Sequence, residues 1–236
     1  MQEDAIRINK YLSSKGVCSR READRLLDQG QIKIDGEVAV KGAMVKPGQI
    51  VEVNGKVVSQ KEVEKLWIAL NKPRGIVCTT SNKDRAQNVV DYIGLKERVY
   101  PVGRLDKDSE GLLLLTNQGE AADKLLRASN YHEKEYIVTV NKTIEDSFLR
   151  RMEKGVPILD TVTRPCKCVR LGHNKFKIII TQGLNRQIRR MCQYFHVEVV
   201  SLQRVRIMNI KLGNLKYGEY RKLTPKEIKE LEQALK

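Results

Sequence analysis

Aromatic side chains are scarce: one Trp, eight Tyr and three Phe make up 5% of the 236 residues. This argues against a surface that grips single strands mainly by ring stacking, and a nucleic-acid partner would be held through phosphate and shape contacts. Cysteine is sparse and unpaired. Cys18, Cys78, Cys166, Cys168 and Cys192 are odd in number and scattered, unlike a disulfide framework, and read as reduced thiols of a cytoplasmic protein. With only His132, His173 and His196 to join Cys166-x-Cys168, no paired Cys-x-x-Cys set exists, so no metal site is expected. No apolar run approaches the ~20 residues of a membrane span and none of secretory type opens the chain. The glycine patterns of phosphate loops and dinucleotide folds are also missing. Neither a membrane partner nor a nucleotide cofactor is expected.

Positive charge is abundant. Lys and Arg number 44 against 29 Asp and Glu, a formal net charge of +15 that suggests a polyanionic partner. Residues 183–222 carry nine Lys or Arg and two Glu, about half of the excess.

The first sixty residues form a unit of their own. Ile8, Tyr11 and Leu12 follow helical spacing until Gly16 breaks it. Ser19-x-x-Glu22 is a capping-box signature, and Ala23, Leu26 and Leu27 give the following helix an apolar face before Gly30 ends it. Arg20, Arg21 and Arg25 are left pointing outward near the helix start. Short strands are expected around the turn sequences Asp35-Gly36, Lys46-Pro47-Gly48 and Asn54-Gly55.

The polar stretch 59–65 reads as a linker, which sets the domains at 1–60 and 67–236 with a connection at 61–66. Beyond it, apolar runs at 66–70, 112–115, 137–140, 177–180 and 197–202 mix with helix-like stretches at 120–126 and 145–153, and Thr224-Pro225-Lys226-Glu227 caps a last helix. Strands and helices that are mixed rather than strictly alternating predict an α+β fold: a small two-helix domain with an antiparallel sheet, then a larger domain on a mixed, mainly antiparallel sheet.

Two segments stand out for chemistry. Residues 103–111, Gly-Arg-Leu-Asp-Lys-Asp-Ser-Glu-Gly, form a polar loop between the apolar stretches 99–102 and 112–115, where folds place function more than packing. If its start stays extended, Arg104 and Asp106 point to one side and Leu105 anchors the other. In the helix 185–195, Ile188, Met191, Cys192 and Phe195 share one face, and Arg186, Arg189, Arg190 and Gln193 the other. Arginines near a helix N-terminus oppose its dipole unless an anion sits there: RNA phosphate, an active-site carboxylate, or both.

Four motifs in order, Leu70-Asn71-Lys72-Pro73-Arg74-Gly75, Gly103-Arg104-Leu105-Asp106, Lys134-Glu135-Tyr136 and Gly183-Leu184-Asn185-Arg186-Gln187-Ile188-Arg189-Arg190-Met191, resemble those of the ribosomal pseudouridine synthases related to small-subunit synthase A. Residues 127–136 are most similar to the branch of large-subunit synthase F. The segments Ile8-Asn9-Lys10-Tyr11-Leu12, Cys18-Ser19-Arg20-Arg21-Glu22-Ala23 and Gly30-x-Ile32-x-Ile34-Asp35-Gly36 resemble the RNA-binding module of small ribosomal protein four.

The resemblance implies an RNA pseudouridine synthase. Asp106 would be the catalytic carboxylate, acting as nucleophile or assisting departure of the uracil, with Arg189 its ion-pair partner. Tyr136 would lie against the base and its hydroxyl would move a proton at the ribose 2′ carbon, with Leu184 as further pocket lining. Arg104 would help extrude the target base. Asn71, Lys72 and Arg74 would serve the domain's scaffold and RNA contact, and Arg186 and Arg190 in the larger domain, with Arg20, Arg21 and Arg25 in the smaller, would contact RNA. The substrate would be structured rRNA, a uridine of 23S rRNA near the peptidyl-transferase region, with tRNA an alternative target, and the chain would act as a monomer. Nothing leaves during the isomerisation, so no cofactor or metal is implied. The competing reading is a noncatalytic RNA chaperone or assembly factor, which would have no use for a carboxylate in a basic groove.

Overall fold

The structure, a computed structural model, describes residues 5–79, 86–127 and 131–235. Part of the 127–136 similarity, residues 128–130, lies outside them. The chain forms two compact units that divide between Lys65 and Leu66. Leu66, counted above in the connection, is 6% exposed in the core of the second unit, because its apolar side chain continues the first strand.

In the first unit, helices α1 (Ile8–Ser14) and α2 (Arg20–Asp28) pack against a four-stranded antiparallel sheet. Its strands are β1 (Ile32–Ile34), β2 (Glu37–Val38), β3 (Val51–Val53) and β4 (Lys56–Val57), in the order β2-β1-β3-β4. The Ser19 side chain accepts the Glu22 N–H at 3.0 Å and so starts α2, while the Glu22 carboxylate pairs with Arg25. Two-residue turns close both hairpins: Asp35 and Gly36 have φ of 51° and 86°, Asn54 and Gly55 of 50° and 73°, the conformation that Asp-Gly and Asn-Gly adopt most readily. Ile8, Leu12, Ala23, Leu27, Ile32 and Val51 make the core.

The second unit is built on a nine-stranded sheet. Its strands are β5 (Trp67–Lys72), β6 (Tyr100–Val102), β7 (Glu110–Thr116), β8 (Lys134–Val140), β9 (Lys167–Gly172), β10 (Lys175–Ile180), β11 (Val199–Ile207), β12 (Ile210–Lys211) and β13 (Tyr220–Lys222). The main order is β9-β10-β8-β11-β7-β5-β13, with β6 beside β7 and β12 beside β11. Every pairing is antiparallel except β11 with β7.

Both faces of the central strands are covered. Ile68, Leu70, Leu113 and Leu115 enter one apolar cluster, together with α5 (Asp146–Glu153) and α6 (Gln187–Tyr194). Trp67, Ala69, Leu112 and Leu114 enter another, under α4 (Gly119–Leu126) and α7 (Pro225–Ala234). Double burial explains why β5 and β7 read as unbroken apolar runs rather than alternating ones. The short helix α3 (Val89–Ile93), started by Asn88, and the edge strand β9 were not expected from the sequence. No helix among the described residues is long and apolar enough to cross a membrane.

The topology leaves a gap beside β7. One edge of that strand pairs with β6 at 114–116 and with β11 at 110–111, so Leu112 and Leu113 have no neighbour strand there. The loop 103–109 leaves β6 at this point.

Candidate active site

The loop is anchored from within. Leu105 is 6% exposed, and its N–H donates to Cys78 Sγ at 3.3 Å. The Ser109 N–H donates to the Asp106 carbonyl at 3.0 Å and tightens the turn. Arg104 remains exposed and Asp106 half-buried.

Lys72 was expected to serve both the scaffold and RNA contact, and its burial corrects the second of these roles. Its side chain is 0% exposed, and Nζ donates to the carbonyls of Pro73 (2.9 Å), Asp106 (3.3 Å) and Ser109 (2.9 Å). Two of the three ammonium protons go to the loop backbone and the third to the carbonyl of the next residue, so Lys72 is a clamp that shapes the loop from below. Burial is the largest influence on the group and lowers its pKa, which nearby Asp108 and Asp106 partly offset.

The ion pair expected between Asp106 and Arg189 is likewise replaced by another. Arg186 Nη1 lies 3.5 Å from Asp106 Oδ2 and 3.3 Å from Asp108 Oδ1, while Arg189 Nη2 lies 3.3 Å from Asp108 Oδ2. Arg186 takes this position because it occupies the left-handed region, with φ of 49°, as the residue that opens α6. A non-glycine residue held there carries backbone strain, a feature that clusters at functional sites. Arg189 points inward instead, donating to the Val199 and Asp108 carbonyls at 3.2 Å and to Ser109 Oγ at 3.3 Å. It ties the loop to β11. Burial pushes the Asp108 carboxyl up, but hydrogen bonding to Arg186 and the charges of Arg189 and Arg186 outweigh it and hold the group below the ordinary carboxylate range.

Asp106 stands between two openings. A cavity of about 430 Å³ is walled by the loop, by Tyr136 and Lys134 of β8, by Leu184 and by Arg204 of β11. A more open cleft of about 670 Å³ adjoins it, with Arg74 at its side, and shares Arg104, Leu105, Asp106 and Arg186. The first falls within the range of about 300–1,000 Å³ typical of small-ligand pockets. Tyr136 is 7% exposed, and its hydroxyl is 3.5 Å from Arg204 Nη1. Arg190 turns away from both openings and bonds Asn185. Arg74 pairs with Glu110 at 3.1 Å. Arg20, Arg21 and Arg25 are exposed on α2 of the first unit.

Three site residues escaped the sequence reading. Asp108, the bridging acid, has a visible signal: it repeats the Asp106 position two residues on, along the same loop. Lys134 was seen only as a motif letter and Arg204 not at all, since it lies beyond the apolar run 197–202 inside a strand whose full length runs to Ile207. Among the described residues no three His, Cys, Asp or Glu side chains converge as a metal site, and all five cysteines are free.

A carboxylate at the mouth of a nucleoside-sized cavity, on a mixed sheet preceded by a small separate domain, is an arrangement that suits an enzyme acting on a nucleoside-sized group. The comparisons make the class specific. The model of RNA pseudouridylate synthases matches residues 66–194 and that of the S4 domain residues 6–51. The chain is 52% identical to the dual-specificity RNA pseudouridine synthase RluF of Shigella flexneri over 98% of its own length and 80% of that protein. It is 36% identical to the ribosomal large subunit pseudouridine synthase B of Bacillus subtilis over 95% of both. A crystal structure of a pseudouridylate synthase matches with a TM-score of 0.69 at 27% identity, over 96% of this chain and 99% of that one. The chain belongs to the RNA pseudouridylate synthase family and carries an S4 domain.

Proposed function

We propose that this enzyme converts a specific uridine of structured large-subunit rRNA to pseudouridine, with Asp106 as the catalytic carboxylate. The observation that carries the assignment is the position of Asp106 on the wall shared by the cavity and the more open cleft, with Arg186 against its carboxylate. RNA lies along the cleft, and the target nucleotide enters the cavity against Tyr136 and Leu184. Asp106 promotes cleavage of the N-glycosidic bond, either by attack on the ribose or by assisting departure of the base, and the uracil turns before carbon 5 rejoins carbon 1′. Tyr136 lines the pocket and is placed to move a proton at the sugar.

Arg104 fills the gap left by the extruded base, a role its exposure at the edge of both openings supports. Arg74 and Arg186 face the RNA backbone along the cleft, Arg190 props Asn185 beside it, and Arg20, Arg21 and Arg25 of the S4 domain bind phosphates elsewhere on the same RNA. Arg189 holds the loop. The large-subunit target is supported by the name of the Bacillus subtilis relative, a uridine of 23S rRNA near the peptidyl-transferase region is the finer reading that the motif resemblance implies, and the words dual-specificity in the other relative's name are a reason to assay tRNA alongside. The cavity is complete within one chain, as a monomeric enzyme requires, and the free thiols suit the reducing cytoplasm.

The test is pseudouridine mapping of rRNA and tRNA from cells with and without the protein, together with tritium release from RNA labelled at uridine carbon 5. One or more sites that vanish with the protein and return with the wild type are expected. Identical maps and no tritium release would leave only an RNA-binding protein.

A further inference from the structure

We propose that Arg204 and Lys134 form a cationic seat in the cavity wall that holds the carbonyl oxygens of the detached uracil while it turns. The inference rests on the reaction proposed above and assigns two residues to a step that Asp106 does not serve.

Arg204 is 2% exposed, yet it lacks the partners a buried guanidinium normally has. Its Nε donates to the Leu112 carbonyl at 2.7 Å, Nη1 reaches the Tyr136 hydroxyl only at 3.5 Å, and Nη2 has no partner. No described carboxylate pairs with it, whereas Arg186, Arg189, Arg206 and Arg221 each have one. A buried charge without a counter-ion is costly and needs an explanation. Lys134 is the second uncompensated cation on this wall: its Nζ has only the His132 carbonyl, at 3.4 Å. Burial, and then the charge of Arg204, push it down to about 8. The one acid on this cavity's wall, Asp106, is paired with Arg186 and not with either of them, so two cations without a described counter-ion make a site for an anion that arrives from outside.

The sheet is built to aim Arg204 there. In the antiparallel pairing of β8 with β11, Glu135 lies opposite Arg206 and Tyr136 opposite Arg204, with a register shift between them. That bulge separates two arginines that alternation would put on one face. Arg206 meets Glu135 and Glu133 at 2.9 Å, and Arg204 turns in beside Tyr136. Its anchor, the Leu112 carbonyl, belongs to the stretch of β7 left unpaired by the gap. On the other side only glycine fits: a Cβ on Gly111 would lie 2.3 Å from the Arg204 carbonyl oxygen.

The chemistry supplies the anion. When the bond between carbon 1′ and N1 breaks heterolytically, its electron pair leaves with the base, and the negative charge spreads over N1, O2 and O4. Fixed cations beside those oxygens stabilise the departing group without reorganising. After rotation, carbon 5 uses an electron pair to form the new bond to carbon 1′ and then loses its proton to solvent, while N1 takes one up. A seat of two donors, rather than one directional bond, lets the base pivot without losing its counter-charge. The exposed arginines at the openings are left for phosphate.

The experiment measures single-turnover conversion of RNA carrying uridine, 2-thiouridine or 4-thiouridine at the target, or a phosphorothioate on its 5′ side, by wild type, Arg204→Met and Lys134→Met. Sulfur is a poorer acceptor than oxygen. Arg204→Met is expected to slow uridine conversion about a hundredfold and Lys134→Met about tenfold, with RNA affinity little changed. At least one thio substitution should slow wild type and add nothing further in the variants. The inference is overturned if the variant and thio losses multiply at both positions, if the losses pair with the phosphorothioate instead, or if both variants convert uridine at the wild-type rate. Lys134→Met decides alone should Arg204→Met fail to fold. Wild type that modifies no RNA removes the functional reading and this one with it, whereas an active wild type with multiplicative losses removes only this one.

Discussion

Arg186 holds Asp106 and Asp108 at once: Nη1 stands 3.5 Å from Asp106 Oδ2 and 3.3 Å from Asp108 Oδ1, and Nη2 reaches Asp108 Oδ2 at 3.4 Å. The two acids therefore divide the work. Asp108, tied to Arg186 and Arg189, fixes the guanidinium, and Asp106 keeps one oxygen that no described side chain pairs with. Asp106→Asn should abolish product while RNA affinity stays within a few-fold of wild type. Asp108→Asn should cost about tenfold in rate, since a half-exposed ion pair contributes roughly 1 kcal/mol. Single-turnover kinetics and filter binding check both, and equal losses in the two variants would remove the distinction.

Lys72→Met separates a scaffold role from an RNA contact. The change leaves the carbonyls of Pro73, Asp106 and Ser109 without their common donor. Stranding buried acceptors costs on the order of 3 kcal/mol. Urea denaturation should show a loss of that size and the salt dependence of RNA binding should not change, because no phosphate contact has been removed. A shallower salt slope with unchanged stability would return Lys72 to the RNA interface.

Arg104 hydrogen-bonds no described residue and stands at the edge of both openings. Arg104→Ala should slow conversion of a paired or stacked target, and slow it less when the target uridine is already unpaired, because the lost interaction belongs to extrusion. Stopped-flow fluorescence from 2-aminopurine placed beside the target reads that step directly. Equal losses on both substrates would count against the role.

What could be read from the chain beforehand follows from how local each feature is. The Asp35-Gly36 and Asn54-Gly55 turns, the Thr224 and Glu227 capping box, and the doubly buried run of β7 each depend on neighbours within a few residues. The site depended on more distant partners. Lys72 beside Pro73-Arg74 looks like one more surface cation, and only carbonyls 34 and 37 residues away make it a buried clamp. Periodicity placed Arg189 on the polar face of α6, but Asp108 and Val199 draw it inward, and the left-handed turn at Arg186 gives that residue the ion pair expected of Arg189. Arg204 owes its direction to a register shift between β8 and β11, which no single strand encodes. The edge strand β9 escaped because most of its side chains are exposed, so no apolar pattern marks it.

The depressed Lys134 gives a pH signature with a definite sign. Its pKa falls from 10.5 to about 8 on folding, so below pH 8 the group is charged in both states and the folded protein carries the full cost of an ammonium buried near Arg204. Between about 8 and 10.5 the unfolded chain binds the extra proton, so stability rises with pH across that window, by up to about 3 kcal/mol from this group. Other lysines and tyrosines titrate there as well, so the quantity to measure is the difference between wild type and Lys134→Met. The variant should be the more stable protein at pH 7, and the gap should close by pH 10. If urea midpoints at pH 7, 8, 9 and 10 show a constant difference, Lys134 does not titrate in this window and its burial carries no electrostatic cost. The same titration reaches catalysis: the wild-type rate should fall above pH 8 as the cavity wall loses one positive charge, and Lys134→Arg, whose guanidinium stays protonated, should move that limb to higher pH.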